Sequence, residues 1–400
     1  MFQTKFAVTA KLKTKRIIMN RIYTLAIAII STCFLGCLSS SSLLANEETK
    51  SVDLSLHLRP AYHAQFGGAP MEFEDGGFKF DHIIVDVGGQ VTPKLSYRYL
   101  QRLNNVTPVF TRENLPATID YAYLKYAFND QFSITAGKQA LLVGGFEYNK
   151  YPVDVYNYSG LTNFITCYLT GLQTSYSPTK NQELSFQILN NRLGSWEEAV
   201  GTPPVGLQLE QPSVPLYFSL GWNSSYFNDA LQLRYAVNYT SPAKNKTLFM
   251  ISGGQKWQSG QFSIYLDAFY QRSEIDYLGG IRSYTVSPEY VVENVEYFSI
   301  LGEANWRFNP KWNILLKCFY NNFSTYKASA SMDKGNCLNS WNYQAGIEYY
   351  PMKDDNLHIF LISTFKDYGK SEMLQIVNPC DDFRLSLGFI YRIPVFSIKH

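Results

Sequence analysis

A chain of 400 residues is long enough for a large core, yet only 46% of it is hydrophobic and its mean hydropathy is −0.16, which excludes an α-helical membrane bundle. Aromatic residues make up 16% of it, with 30 Tyr and 27 Phe, a composition that favours strands. With 35 Lys and Arg against 33 Asp and Glu, it lacks the basic excess that nucleic acid or an anionic membrane surface would demand.

Residues 1–45 differ from the rest. Basic residues up to Arg21 are followed by IYTLAIAIISTCFLGCL and then by small residues ending at Ala45. This is the pattern of a secretory signal peptide, here expected to be cleaved after Ala45. A shorter leader starting at Met19 would suffice by itself, and lipid attachment at Cys37, in the lipobox-like Phe34-Leu35-Gly36-Cys37, is the alternative processing. Residues 46–400 then form the mature chain, with 29 basic against 33 acidic residues, a net charge of −4. They contain no apolar run of the ~18 residues that a spanning helix needs. Four cysteines remain, Cys167, Cys318, Cys337 and Cys380, too scattered for a disulfide scaffold or a zinc motif, and no cofactor is expected.

From Ser51 onward, segments of alternating apolar and polar residues recur. In ALQLRYAVNYT (230–240), Leu231, Leu233, Tyr235, Val237 and Tyr239 point one way and Gln232, Arg234, Asn238 and Thr240 the other; FRLSLGFIYRI (383–393) repeats the scheme. Sixteen segments are expected, near 52–62, 80–91, 94–103, 119–128, 131–139, 163–177, 182–190, 215–226, 230–240, 247–257, 261–272, 294–307, 311–322, 339–350, 356–366 and 383–393. Seven connections are short and eight are mostly long. An even strand number with short turns at one end and long loops at the other predicts an all-β fold, a transmembrane antiparallel β-barrel whose short turns are periplasmic and whose long loops are extracellular.

Aromatics gather at the short turns: Tyr126, Phe128 and Phe132 about Asn129-Asp130-Gln131, Trp257 and Phe262 about Gln258-Ser259-Gly260, and Trp306, Phe308 and Trp312 about Asn309-Pro310-Lys311. A soluble hairpin has no use for such rings, whereas the boundary between lipid tails and headgroups does.

The lumen face carries Arg59, Arg98, Arg102, Lys125, Arg234, Arg307, Lys317, Lys366, Arg384 and Arg392 against Asp53, Asp86, Glu183, Asp267, Glu303 and Glu348. That excess of cations favours anions modestly, and sixteen strands leave an aqueous channel. The connection LLVGGFEYNKYPVDVYNYSGLT (141–162) holds more apolar surface than an exposed loop would leave in water, and is expected to fold into the lumen. The competing classes are a barrel enzyme of lipase or protease type, for which no Gly-x-Ser-x-Gly or metal-spaced His pair occurs, and an adhesive or structural barrel without an open pore. Cys337 and Cys380, placed in the last two long loops, are expected to form a disulfide in the oxidising exterior, the alternative being two free thiols.

The run AYLKYAFNDQFSITAGKQALLVGGFE (122–147), with DDFRLSLGFIYRI near the end, resembles the phosphate-selective porin O and P family of Gram-negative outer membranes. The resemblance implies a sixteen-stranded homotrimeric porin of the outer membrane that lets small hydrophilic solutes, above all anions such as phosphate, diffuse passively. In that family wall arginines and inward-folded lysines guide the anions, which by analogy singles out Arg98, Arg102, Lys125 and Lys138 near the third long loop, alongside Arg234, Arg307 and Lys317 from the strand phases. This chain departs from the pattern in two ways: its third loop has no lysine cluster, and it ends Phe-Ser-Ile-Lys-His, without a terminal aromatic residue.

Overall fold

The computed structural model describes residues 50–104, 113–204, 206–277, 279–330 and 332–399. The leader at 1–45, the start at Met19 and the lipobox at Cys37 lie outside them. The sixteen strands are β1 Ser51–Gly67, β2 Glu72–Thr92, β3 Leu95–Arg102, β4 Ile119–Ala127, β5 Phe132–Ala140, β6 Tyr168–Thr179, β7 Gln182–Asn190 and β8 Leu216–Tyr226. They continue with β9 Leu231–Thr240, β10 Leu248–Ser259, β11 Phe262–Ile275, β12 Glu293–Asn309, β13 Trp312–Thr325, β14 Gly335–Tyr349, β15 Leu357–Gly369 and β16 Asp382–Lys399. Each pairs antiparallel with its neighbours in sequence, and β1 closes on β16. Closure removes every sheet edge, the condition for a sheet to stand in hydrocarbon.

Alternation sorts the residues as the sequence predicts. On β9, Tyr235 and Val237 are exposed on the outer face while Ala236, Asn238 and Thr240 are buried toward the interior. Leu124, Leu172, Leu220, Leu266, Leu316 and Leu387 stand exposed around the outer wall, as lipid-facing side chains should. At the short turns, Phe128 packs on Tyr126 and Phe132, Trp306 on Phe308, and Trp312 on Tyr349, and Phe227 is 80% exposed.

The expected boundaries fail most at the first connection. The first connection, expected to be long, is only Gly68–Met71, because β1 and β2 run on as a protruding hairpin. Its residues, including Phe73, Phe78 and Phe80, are exposed, so neither face carries a burial pattern to be read.

The expected disulfide is also absent. Cys337 is the extra residue of a bulge in β14, because Leu338 opposes Phe323 while Asn336 opposes Ser324. The bulge buries its thiol 3.8 Å from the Met373 sulfur and 3.9 Å from that of Met332. Cys380 is exposed ahead of β16, and Cys167, Cys318, Cys337 and Cys380 are all free.

The long loops L4 (191–215), L6 (276–292), L7 (326–334) and L8 (370–381) meet over the extracellular end. Val200, Ile281, Val291, Val292, Met332 and Ile376 join one buried cluster there. Two isolated bridges, Thr202 with Tyr290 and Thr285 with Ile376, tie L6 to its neighbours. L4 carries a short helix, α2 (Trp196–Val200), capped by Ser195 and Glu198 in a reciprocal capping box. The short helix α1 (Gly160–Phe164) belongs to the third loop.

Candidate functional site

The third loop, L3 (141–167), lies inside the barrel. Its entry is built on glycine: a Cβ on Gly144 would stand 2.4 Å from the Ser252 carbonyl oxygen, and Gly145 has φ +94. Without side chains, this backbone can lie directly on the wall, where Gly144 N–H donates to Ser252 Oγ (2.8 Å) and Gly145 N–H to the Arg234 carbonyl (3.2 Å). Asp267 then accepts the amides of Phe146 (2.7 Å) and Glu147 (2.8 Å).

Glu147 is fully buried. It pairs with Lys317 and accepts the Ser159 amide at 3.0 Å and the Ser159 hydroxyl at 2.5 Å. Removing one member of such a pair leaves a buried charge uncompensated, at a cost of about 3–5 kcal/mol. Further on, α1 is held by the Gly160 amide on Asn321 (2.9 Å) and the Leu161 amide on Ser299 (3.2 Å).

The middle of L3 reaches the opposite wall. Arg59 donates to the carbonyls of Val153 and Val155, both at 2.9 Å, and Arg392 pairs with Asp154. Tyr156 donates to Glu348 at 2.6 Å, and Arg384 donates to the Tyr156 carbonyl at 3.2 Å. Val153 packs in a small apolar cluster with Ala61, Phe360, Ile362 and Ile390. Several wall arginines therefore serve as fastenings for the loop.

L3 leaves two open volumes. Toward the short turns is a vestibule of about 580 Å³, lined among others by Lys150, Asp154, Arg307, Glu348, His358 and Arg392. Between L3 and the wall from β3 to β6 is a second cavity of about 300 Å³, lined by Arg98, Arg102, Lys150 and five tyrosines. Lys150 borders both and pairs with Glu303, so it marks the junction of the two volumes.

The expected pore-lining residues separate into three groups. Arg98 and Arg102 border the second cavity, paired with Asp86 (2.8 Å) and Asp120 (2.7 Å). Arg307 lines the vestibule and pairs with Asp355 in the turn before β15, and this guanidinium holds the Asp355 carboxyl below its ordinary range. Lys125, on the lumen phase of β4, is exposed, and Arg234 lies over the Phe146 ring with its guanidinium carbon 4.8 Å from the centroid. The remaining two, Lys317 and Lys138, do not face open lumen. Lys317 is sealed under L3, and Lys138 is fully buried against Glu113 (3.2 Å), because it shares the outward phase of Ala136 on β5.

Sequence reasoning passed over Lys256, although it shares the inward phase of Ser252 and Gly254 on β10. It also passed over Asp120, which neutralises Arg102, and over the tyrosines. No His, Cys, Asp and Glu group able to hold a metal occurs among the described residues.

Comparison with known proteins now decides the family. The family model described as phosphate-selective porin O and P matches residues 57–393. The chain belongs to this family. It is thus an outer-membrane channel rather than an enzyme, and the barrel bears the fold out. The porin is similar to the outer membrane channel DcaP of Acinetobacter baumannii, with TM-score 0.60 and 12% identity over 88% of this chain and 99% of that one. An anion-selective porin from Comamonas acidovorans gives 0.59 and 8% identity over 86% and 100%. OmpT of Vibrio cholerae gives 0.53 and 10% over 87% and 99%. At such identities the likeness shows the fold alone. No curated protein sequence matches the porin.

Proposed function

We propose that this porin passes small hydrophilic solutes by passive diffusion, with a modest preference for anions such as phosphate, and that it works as a homotrimer. The observation that carries the preference is a set of lumen cations without an acidic partner within ion-pair distance among the described residues: Lys125, Arg234, Lys256 and Arg384. Charges already matched by a neighbouring acid or sealed beneath L3, as at Arg98, Arg102 and Lys317, add little to the field that a passing ion feels. The family's description supports phosphate as a solute. For the trimer, OmpT of Vibrio cholerae, which shares the fold, has been solved in a trimer form.

On this reading solutes move along the β3 to β6 side of L3, past Lys150 and into the vestibule. The test is a reversal potential across a planar bilayer under a potassium chloride gradient. Replacing Arg234→Glu and Lys256→Glu together should move that potential toward cations, and an unchanged value would overturn the preference. Chemical cross-linking in native outer membranes should yield a three-chain species, and a single-chain band throughout would count against the trimer.

A further inference from the structure

The second cavity is not built as an anion trap. Arg98 lies on Asp86 through Nε (3.1 Å) and Nη2 (2.8 Å), and Arg102 lies on Asp120 through Nε (2.7 Å). An entering anion would have to compete with a carboxylate already in contact with each guanidinium. The cations are cancelled, but their hydrogen-bonding capacity is not. Arg98 Nη1 and both Nη groups of Arg102 have no hydrogen-bond partner among the described residues.

Acceptors stand nearby. The Asn149 side-chain amide nitrogen donates to the Val143 and Gly145 carbonyls and that of Asn163 to the Tyr158 carbonyl, which leaves both Oδ1 atoms free to accept. The hydroxyls of Tyr121, Tyr158 and Tyr168 likewise make no hydrogen bond among the described residues.

The remaining surface is aromatic. Tyr121 and Tyr168 stand edge to face, 5.1 Å between centroids, on the barrel wall, while Tyr148, Tyr151 and Tyr158 enter from L3. All five tyrosines are half-buried residues that line the cavity. The Arg98 guanidinium carbon lies 4.6 Å from the Tyr121 centroid and that of Arg102 lies 5.8 Å from the Tyr168 centroid, which fixes the donors over the rings. Ring faces carry partial negative charge and attract the polarised C–H bonds of a saturated ring. Neutral but donor-rich groups, with free acceptors and tyrosine faces, match a solute that is hydroxylated at its rim and apolar on its faces.

We propose that this cavity is a binding subsite for a single neutral pyranose ring. Its volume of about 300 Å³ is at the small end for ligand pockets and admits one ring at a time. Arg98 and Arg102 donate to ring hydroxyls, Asn149 and Asn163 accept from them, and Tyr121 and Tyr158 stack on the faces. This goes beyond diffusion of anions, because it assigns the channel a second, uncharged solute class.

The test uses glucose as probe on the full-length protein, read in two ways. In planar bilayers glucose should lower the ion current saturably, and in detergent saturation-transfer NMR should show contact between the protein and the sugar's C–H protons. Tyr121→Ala with Tyr158→Ala should raise the half-saturating concentration about tenfold, each protein being normalised to its own sugar-free current. Tyr158→Phe, which keeps the ring and has the gentlest effect on folding, should bind within about twofold of the parent. The proposal is overturned if the parent shows no saturable glucose effect in either assay. It is equally overturned if inorganic phosphate at matched concentration displaces the sugar signal, which would make the cavity an anion site. Ordinary anion-selective conduction without a glucose effect would leave the diffusion reading standing and remove this one alone.

Discussion

L3 meets two walls of the barrel in two different ways. Against β10 to β13 it lies backbone to wall, with glycines in contact and amides delivered into Asp267, Asn321 and Ser299. Facing β2 to β6 it stands off, and long side chains such as Tyr151, which donates to Asp86 on β2 at 3.1 Å, cross the space. Short polar groups close a wall because they need no gap to be satisfied; long aromatic and cationic side chains hold one open. The solute path is thus set by side-chain length as much as by charge.

The strongest way to break this contrast is at Glu147. Glu147→Ala leaves Lys317 buried without its acid, and should cost about 3–5 kcal/mol of local stability. L3 should detach from its sealed side, seen as a larger single-channel conductance and new protease cuts between residues 141 and 167. Conductance equal to the parent's would show that other contacts hold the loop without it.

Surface accessibility sharpens the contrast next. In a Cys380→Ser background, Arg234→Cys should react with a charged, membrane-impermeant thiol reagent, whereas the neighbouring Leu233→Cys on the outer face should be protected by lipid. Reversed labelling would displace β9 by one residue and with it every phase assigned there.

A smaller effect is expected from the acids of the open wall. Asp86→Asn with Asp120→Asn removes the charges that cancel Arg98 and Arg102, and anion preference should increase in the same reversal-potential measurement. No change would mean that passing ions do not feel this wall.

The smallest effect concerns the extracellular cover. Asp276, at the start of L6, accepts the amides of Gly280 (3.2 Å), Ile281 (3.1 Å) and Arg282 (2.7 Å) as well as the Tyr297 hydroxyl. Burial raises its carboxyl above the ordinary range in spite of these bonds. Its stabilising contribution is therefore complete below the unfolded value of about 3.9 and is lost as pH rises through the folded one. L6 should resist protease better at about pH 5 than at about pH 8, and Asp276→Asn should flatten that dependence.

Much of this was legible in the sequence because a barrel wall repeats one simple rule. Alternation of Leu233, Tyr235 and Val237 with Arg234 and Asn238 fixes both faces of a strand, and the rule serves along β3 to β16 except at bulges such as those at Leu100/Gln101 and Cys337. It fails in the β1–β2 hairpin, where Glu72 to Phe80 meet water on both sides and nothing selects a phase. The inward fold of L3 was likewise legible from its aromatic content. Its partners were not, since pairs such as Glu147 with Lys317 and Arg392 with Asp154 join residues far apart in the chain and depend on the closed ring for their geometry. Lys138 misled because the resemblance singled it out, whereas the phase of β5 turns it outward with Ala136, where it meets Glu113 of another loop. Cys337 misled through a bulge, which shifts one residue without leaving a mark in the local pattern.

The fastenings of L3 also constrain how the molecule assembles. Arg59 is on the first strand and Arg392 on the last, and both grip residues 153–155 of the loop. Those contacts can form only after the two ends of the chain have come together, while the contacts to Asp267 and Lys317 need only the middle strands. Seating of the loop and zipping of the β1–β16 seam are consequently two faces of one late step, long in sequence separation and slow for that reason. Until it is complete, the half-built channel has neither a sealed seam nor a defined bore.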